Sequence, residues 1–438
     1  MHQLAISLKN AGNQVTGSDD EIYDPSKSNL EIHGLLPSSF GWNRDNITSD
    51  LDFVILGMHA KPGNPEIEEA QAKGIKIYSY PEFIYEYSKD KTRVVIGGSH
   101  GKTTTTSMVM HILKKSNIEF DYLIGAKVPG FTSSVHLSSD NSIIVIEGDE
   151  YLSSALDKRS KFIHYQADIA ILTGVAWDHI NVFPTLDSYY QTFIDFIAGL
   201  NPNSQLFYFD SEPLTSLVKD HCRSNFESYT SFDYGSKGLS YEGATIPMQF
   251  FGQHNYSNMM AAFKVCSKLG IKTEQIIQSM TDFVTPDKRM NILHQSEQLV
   301  VIRDFAHAPS KVEASVKAVR EEYPDKVISV LLELHTYSSL NKDFLKYYAD
   351  SLNGLENAVI HYNPKTLEIK NMAPISEEVL RNNFNLKSLE LITEKELLSK
   401  WLFEVCKTKN SVLLIMSSGH IGGISLEEFS QKISQLNP

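Results

Sequence analysis

The residues with the clearest chemical potential form a glycine-rich turn near residue 100. The sequence Gly98-Ser99-His100-Gly101-Lys102-Thr103-Thr104 follows an apolar, β-branched run at residues 93–96. Apolar residues then recur at helical spacing between Met108 and Leu113, so the pattern predicts a strand, a turn and a helix. Backbone N–H groups at such a helix start attract anions, and glycines let the backbone approach them closely. The stretch therefore predicts a phosphate-binding turn.

The side chains of this turn indicate a nucleoside triphosphate as its ligand. Lys102 would contact the β- and γ-phosphates, and the Thr103 hydroxyl would contact Mg²⁺. The common form of the motif has a glycine five residues before the Gly-Lys pair, where this chain has Ile96, so the turn is a shortened variant. The alternative is a strand-to-helix turn that holds no ligand.

Polar clusters follow two other predicted strands. Glu147-Gly148-Asp149-Glu150 follows the run at 143–146, and Trp177-Asp178-His179 comes after the run at 169–172. In open α/β sheets, ligands bind beyond the carboxyl ends of the strands. We therefore predict that Glu147 and His179 hold a divalent metal ion, with structural roles as the alternative.

Two further groups of residues are candidates for substrate contacts. Asp19 ends a short strand predicted over 14–19, where it would hold a sugar hydroxyl or stabilise a turn. The polar run 253–258 begins a predicted helix, and its side chains would either cap that helix or contact a base edge. The number of polar side chains favours the base.

These candidates need elements that hold them together. Strands alternate with helices along the chain, which predicts an α/β fold with parallel sheets. We predict three domains, at residues 1–90, 91–290 and 291–438. The first begins with a helix over 1–12, whereas a doubly wound domain normally opens with a strand and a glycine-rich turn. We expect either a longer reading frame upstream or a domain that lacks its usual first phosphate turn.

Composition narrows the class of partner. The 438 residues include 40 basic and 53 acidic ones, a formal charge of -13, and no Lys/Arg-rich tract stands out, which argues against nucleic acid. The three cysteines are widely spaced, which favours a reducing compartment. No long apolar run or signal peptide is seen, so we expect a cytoplasmic protein with no membrane partner. The sequence carries no signal for an oligomeric state.

Taken in order, the motifs resemble the ATP-dependent Mur ligases of peptidoglycan synthesis over essentially the whole chain. Residues 157–165, Asp-Lys-Arg-Ser-Lys-Phe-Ile-His-Tyr, resemble the murein peptide ligase branch, which recycles peptide by joining UDP-N-acetylmuramate to L-alanyl-γ-D-glutamyl-meso-diaminopimelate. The nearest relative of that branch adds L-alanine alone. The pieces that carry the family resemblance are residues 98–104, 147–150, 178–179, 252–258, Arg289 and 304–309.

The resemblance implies an N-terminal Rossmann-like domain for the UDP-sugar, a central P-loop ATPase-like domain and a C-terminal Rossmann-like domain. It also implies ATP and Mg²⁺ as cofactors. The implied reaction activates the muramoyl carboxylate as an acyl-phosphate, which the amine of the peptide then attacks.

The resemblance also implies a role for each site residue. Lys102 and Arg289 would stabilise the transferred phosphoryl group, as in other phosphoryl transfers. Thr103 and Glu147 would hold one Mg²⁺, and Glu147 and His179 would help to hold a second. His254, Asn255 and Asn258 would contact the nucleotide base. Asp304 would face the nucleotide, and His307 would lie nearby.

The chain departs from the family pattern in places. Residues 180–200 contain no lysine, so the carbamylated lysine of several relatives is not expected. Residues 333–339 lack the arginines that relatives place there, and His335 or Lys342 would then anchor the incoming peptide. Three other readings stay open: a UDP-N-acetylmuramate L-alanine ligase, a folylpolyglutamate-type ligase, and a nucleotide-binding regulator without catalysis.

Overall fold

The computed structural model describes residues 1–355, 357–386 and 388–436. The chain divides into two compact units, which are described separately. Unit 1 contains Met1–Val175, Leu186–Thr230 and Met260–Met280, and unit 2 contains Ala176–Thr185, Ser231–Met259 and Thr281–Pro438. The three-domain division expected from the sequence remains a prediction.

The first 90 residues of unit 1 form helices around a small parallel sheet. Its two strands pair in register from Phe53 with Lys76 to Leu56 with Ser79. Capping fixes the helices, since Asn64 accepts backbone hydrogen bonds at the start of one, and Ser79 and Glu82 form a capping box at another. The elements are α1 His2–Asn10, α2 Ser26–Ile32, β1 Phe53–Leu56, α3 Pro65–Ala72, β2 Lys76–Ser79 and α4 Tyr80–Ser88.

The strand predicted over residues 14–19 is wrong. The backbone there is irregular, and Gln14, Thr16 and Gly17 are exposed. A strand is stabilised by the hydrogen-bond ladder to a neighbour, and among the described residues the small sheet contains only β1 and β2. The predicted first helix is confirmed within two residues at each end, as α1.

A seven-stranded sheet forms the core of unit 1. Its order is β5-β4-β6-β3-β7-β8-β9, and all neighbours are parallel except β4 and β5. The central strands are buried on both faces, which explains their continuous apolar runs. The elements are β3 Thr92–Gly97, α5 Lys102–Lys115, β4 Asp121–Leu123, β5 Val135–His136, β6 Ile143–Glu147, α6 Lys161–His164, β7 Ile169–Leu172, α7 Leu186–Ala198, β8 Gln205–Phe209, α8 Leu214–His221, β9 Asn225–Tyr229, α9 Gln253–Lys268, which begins in unit 2, and α10 Thr273–Met280.

Unit 2 is built on a six-stranded sheet of order β13-β14-β18-β15-β16-β17, parallel except for β13. Val300 and Ile302 face one apolar cluster and Leu299 and Val301 face another, so both faces are covered. Its elements are the antiparallel strands β10 Tyr234–Gly235, β11 Gly238–Tyr241 and β12 Ala244–Ile246, followed by β13 Asn291–Gln295, β14 Leu299–Asp304, α11 Pro309–Glu322, β15 Val327–Glu333, β16 Asn357–His361, α12 Pro364–Ile369, α13 Glu377–Phe384, β17 Leu389–Ile392, α14 Lys395–Val405, β18 Ser411–Met416 and α15 Leu426–Leu436.

Both large sheets carry helices between parallel strands, so the α/β class is confirmed. Within the described residues, no helix is at once long enough and apolar enough to cross a bilayer.

Candidate active site

The phosphate turn, defined here as residues 97–102, joins β3 to α5 at the carboxyl end of the central strand of unit 1. Gly98 has φ +125° and Gly101, before the first residue of α5, has φ +71°. A Cβ at Gly98 would overlap the Thr173 hydroxyl and lie 2.8 Å from the Thr173 backbone nitrogen. Only glycine therefore fits this position, and the turn packs against the end of β7.

Lys102 is held across the turn by two oxygens. Its Nζ donates to the Gly98 carbonyl and to Glu150 Oε2, each at 2.6 Å. The Glu150 side chain is 1% exposed and that of Lys102 is 15% exposed. Burial by itself would lower the pKa of Lys102, but the carboxylates of Glu150, Asp149 and Glu147 outweigh it, and the net pKa is raised. Lys102 is therefore a cation at neutral pH.

Thr103 and Glu147 lie together beside Lys102. The Thr103 hydroxyl donates to Glu147 Oε1 at 2.7 Å, and the Gly125 N–H donates to Glu147 Oε2 at 2.7 Å. A hydroxyl and a carboxylate at the start of a phosphate-binding helix are oxygen ligands of the kind that Mg²⁺ takes. The donor set therefore fits a divalent cation next to the phosphates.

The other residues of the turn support its backbone. Ser99 is buried, and its N–H donates to the Gly174 carbonyl at 3.0 Å. The His100 carbonyl accepts a hydrogen bond from the Thr173 hydroxyl. Thr104 is buried in the first turn of α5. These contacts fix the direction of the N–H groups at the helix start.

Asp19 lies outside any strand in unit 1. Its Oδ1 is 2.8 Å from His59 Nδ1 and accepts from the Asp20 N–H at 2.9 Å. The second contact is that of a turn-stabilising Asp, one of the two roles expected for it.

Asp178 and His179 belong to unit 2, where Asp178 lies close to a lysine and a histidine. Asp178 Oδ2 is 3.1 Å from Lys311 Nζ and 3.7 Å from His307 Nε2, and its Oδ1 accepts from the His179 N–H at 2.7 Å. Burial would raise the pKa of Asp178, but Lys311 and then His307 hold it well below its usual range. Burial lowers the pKa of His307, as does Lys311, so its imidazole is neutral.

Arg289 and Asp304 lie close together in unit 2. The Arg289 guanidinium stacks over the Phe305 ring with 4.3 Å to its centroid. Asp304 accepts from the Met290 N–H at 3.0 Å and from the Ser315 hydroxyl at 2.6 Å. Asp304 therefore fixes the backbone next to Arg289.

The predicted base-contacting residues lie in the first two turns of α9. Asn255 is buried, and its amide donates to the Phe251 carbonyl at 2.8 Å. Asn258 is also buried. His254 is half-buried, and burial lowers its pKa despite the nearby Asp304 carboxylate.

His335 lies just after β15, near several charged groups. Burial lowers the pKa of His335, Glu333 raises it, and the nearby Lys370 and His420 lower it. The Lys370 ammonium lies 3.9 Å from the centroid of the Tyr337 ring. Lys342, the alternative anchor, is exposed.

Comparison with known proteins identifies the family. Residues 1–92 match the family model described as Mur ligase family, catalytic domain, and residues 96–266 match the Mur ligase middle domain. The UDP-N-acetylmuramate–L-alanine ligase of Lactiplantibacillus plantarum is 30% identical over 375 residues, which span 82% of this chain and 81% of that protein. The chain belongs to the Mur ligase family. Mur ligases are ATP-dependent enzymes that form amide bonds, so the predicted enzyme class is confirmed.

Other Mur ligases match over nearly their full length. The UDP-N-acetylmuramate–L-alanyl-γ-D-glutamyl-meso-2,6-diaminoheptandioate ligase of Haemophilus influenzae is 26% identical over 452 residues, covering 97% of this chain and 95% of that protein. The crystal structure of a murein peptide ligase from Psychrobacter arcticus has a TM-score of 0.65 at 21% identity and covers 99% of this chain and 96% of that one. These matches confirm the predicted resemblance and the Mur ligase fold.

Three residues of this Mur ligase were not assigned roles from the sequence. Glu150 pairs with Lys102, and its other oxygen accepts from the Tyr189 hydroxyl at 3.3 Å. Asp178 pairs with Lys311. A signal existed for both acids, because each belongs to a polar cluster that follows a buried strand. Lys311 had none, because a lysine in the first turn of a helix is normally solvated.

Proposed function

We propose that this Mur ligase joins UDP-N-acetylmuramate to the tripeptide L-alanyl-γ-D-glutamyl-meso-diaminopimelate, with hydrolysis of ATP. The observation that carries the proposal is the similarity to the Haemophilus influenzae ligase of that name over 97% of this chain. The motif at residues 157–165 supports the same branch of the family.

The phosphate turn is the proposed binding site of the ATP phosphates. The N–H groups at the start of α5 and the raised pKa of Lys102 supply positive potential there. In this proposal Lys102 leaves Glu150 in part and contacts the β- and γ-phosphates. Glu150 then keeps the ammonium charged and aimed at the turn.

The muramoyl carboxylate would attack the γ-phosphorus, with ADP as leaving group, to form an acyl-phosphate. The amine of the peptide would then attack the acyl carbon and release phosphate. Lys102 and Arg289 would stabilise the charge that spreads over the transferred phosphoryl oxygens. We propose that the base contacts His254, Asn255 and Asn258.

The oxygens of Thr103 and Glu147 are the proposed ligands of Mg²⁺, and His179 is the proposed ligand of a second ion together with Glu147. When bound, such an ion neutralises charge on the phosphates. Thr103 positions the Glu147 carboxylate through the 2.7 Å hydrogen bond between them.

The surroundings of His335 favour a peptide over L-alanine. The tripeptide carries three carboxylates, and L-alanine carries one. Lys370 and His420 both lower the pKa of His335, so three groups that can bind carboxylates lie near one another. Burial lowers the pKa of the Lys370 ammonium, which indicates a place poorer in water than the bulk.

The test supplies purified protein with ATP, Mg²⁺, UDP-N-acetylmuramate and either the tripeptide or L-alanine, and measures phosphate release and product mass. We expect product with the tripeptide. Lys370→Ala should raise KM for the tripeptide and leave kcat little changed. Lys365→Ala, at an exposed lysine in the first turn of the helix that ends just before Lys370, should leave both unchanged. If neither the tripeptide nor L-alanine supports phosphate release, the proposal is overturned.

A second candidate is the addition of L-alanine alone. It is favoured by the Lactiplantibacillus plantarum ligase, which at 30% is more similar in sequence over the part that it covers. If the enzyme forms product with L-alanine and forms none with the tripeptide, this second candidate is the correct function.

A further inference from the structure

A cluster of potential metal ligands in unit 1 shares no residue with the site described above. In the described part of the chain, one group of three His, Cys, Asp or Glu residues has ligand atoms that all lie within 4.8 Å of one another: Glu82, Asp157 and His164. Glu82 is on α4, Asp157 is in the loop before α6, and His164 is the last residue of α6. The cluster therefore joins three separate segments of the chain.

The imidazole of His164 points into this cluster with an unused nitrogen. Its side chain is 6% exposed, and Nε2 is buried with no hydrogen-bond partner. The nearest carboxylate oxygen, Asp157 Oδ2, lies 3.4 Å away. Two ligand atoms bound to one tetrahedral Zn²⁺ at ordinary bond lengths are about 3.3 Å apart. The spacing of these two atoms is therefore that of a ligand pair.

The two carboxylates are held in place by backbone amides. Glu82 Oε2 accepts from the Ser79 N–H at 2.8 Å, so Oε1 points away from the capping box. Asp157 Oδ1 accepts from the Arg159 N–H at 2.9 Å. The loop itself is closed by the hydrogen bond from the Ser153 N–H to the Arg159 carbonyl, at 2.9 Å. Such outer contacts orient metal ligands in known sites.

The guanidinium of Arg159 supplies the positive charge of the cluster in this structure. It lies 2.6 Å from Asp157 Oδ2 and 3.6 Å from Glu82 Oε1, and its side chain is 61% exposed. An exposed arginine can swing into solvent without leaving a cavity. Two carboxylates and one imidazole can then receive a divalent ion in its place.

We propose that Glu82, Asp157 and His164 form a binding site for a divalent transition-metal ion such as Zn²⁺, and that Arg159 is the counter-charge which the ion displaces. One nitrogen and two carboxylate oxygens suit such borderline ions better than Mg²⁺. A bound ion would tie α4 to the loop at 157 and to the end of α6.

The experiment titrates the full-length protein with Co²⁺, a spectroscopic stand-in for Zn²⁺, in excess Mg²⁺ that fills the phosphate site. We expect one Co²⁺ per chain, with visible absorption bands. His164→Gln and Glu82→Gln should each weaken binding by at least the roughly 10–100-fold that loss of a supporting contact costs. Glu82→Gln keeps an acceptor for the Ser79 N–H, so the capping contact is retained. This variant therefore tests the site even if His164→Gln fails to fold.

Arg159→Gln should tighten Co²⁺ binding, by about fivefold or more, since it removes a like charge within about 4 Å of the ion. His136→Gln, at an exposed histidine of the same unit, should leave the affinity unchanged. Equal affinity in the wild type, His164→Gln and Glu82→Gln would overturn the proposal. Absence of binding in both the wild type and Arg159→Gln would overturn it as well.

Discussion

Lys102 keeps its charge in a buried site because carboxylates surround it. Burial opposes the charged form, but Glu150, Asp149 and Glu147 together raise the pKa of the ammonium. A charged lysine at a phosphate site serves as a preorganised electrostatic group, because the protein meets the cost of orienting it before substrate arrives.

Replacement of Lys102 tests this role directly. We predict that Lys102→Ala lowers kcat by about 10²–10³-fold, the usual cost of losing one charge-stabilising group. The measurement is phosphate release under saturating ATP. Lys114→Ala, at an exposed lysine near the end of the same helix, is the matched control and should retain the wild-type rate. A Lys102→Ala enzyme of normal rate would contradict the assigned site.

Glu150→Gln tests how the lysine is kept charged. Glutamine preserves an acceptor for Lys102 Nζ but removes the largest of the electrostatic effects that oppose burial, so the pKa of Lys102 should fall. We predict that the alkaline loss of rate begins at a lower pH in the variant than in the wild type. Glu119→Gln, at an exposed residue, is the control. If the wild type and Glu150→Gln have pH–rate profiles of equal shape, Glu150 does not set the pKa of Lys102.

At the scale of elements, the junction of β3 and α5 depends on close packing against the end of β7. The N–H of Thr173 donates to the Gly97 carbonyl at 3.0 Å, so strand pairing continues up to the turn. Gly98, at φ +125°, has no room for a side chain there. The sheet thus sets the shape of the phosphate turn.

Gly98→Ala should therefore distort the turn as well as strain the backbone. We predict that it lowers the free energy of unfolding by more than the roughly 1–3 kcal/mol of backbone strain alone, and that it abolishes nucleotide binding. The comparison is with Gly63→Ala, where φ is +82° but nothing lies within 4 Å of the added Cβ. Calorimetry and nucleotide titration give the two readouts. Equal effects of the two substitutions would exclude the steric argument.

At the scale of the whole molecule, stability in acid depends on carboxylates that are paired only in the folded state. The Asp178 side chain is 2% exposed, and its partner Lys311 is 22% exposed. Because the folded-state pKa of Asp178 is depressed, its stabilisation is complete above its ordinary pKa of 3.8 and is lost as pH falls through the folded-state value.

Asp178→Asn should therefore lower the free energy of unfolding more at neutral pH than in acid. We predict a loss of about 1.5–3 kcal/mol of unfolding free energy near pH 7, since a charged hydrogen bond is removed. The difference from the wild type should shrink below about pH 4. Denaturant unfolding at a series of pH values measures it, with the exposed Asp325→Asn as control. A difference that is constant with pH would contradict the ion pair.

The sequence by itself determined the elements around the phosphate turn and the enzyme class. The strand predicted at 169–172 is confirmed without change of boundary. Apolar runs and glycines act over a few residues, so the strand, turn and helix at residues 92–115 could be predicted locally. The ordered set of motifs then indicated the Mur ligase family.

Only the tertiary structure decided which distant side chains meet. Lys102 and Glu150 are 48 residues apart, and Asp178 and Lys311 are 133 apart. Their contacts depend on which strands are neighbours in a sheet, and side-chain periodicity carries no information on strand order. The same limit explains why the strand expected at 14–19 is absent, because a strand requires a partner that the sequence pattern does not name.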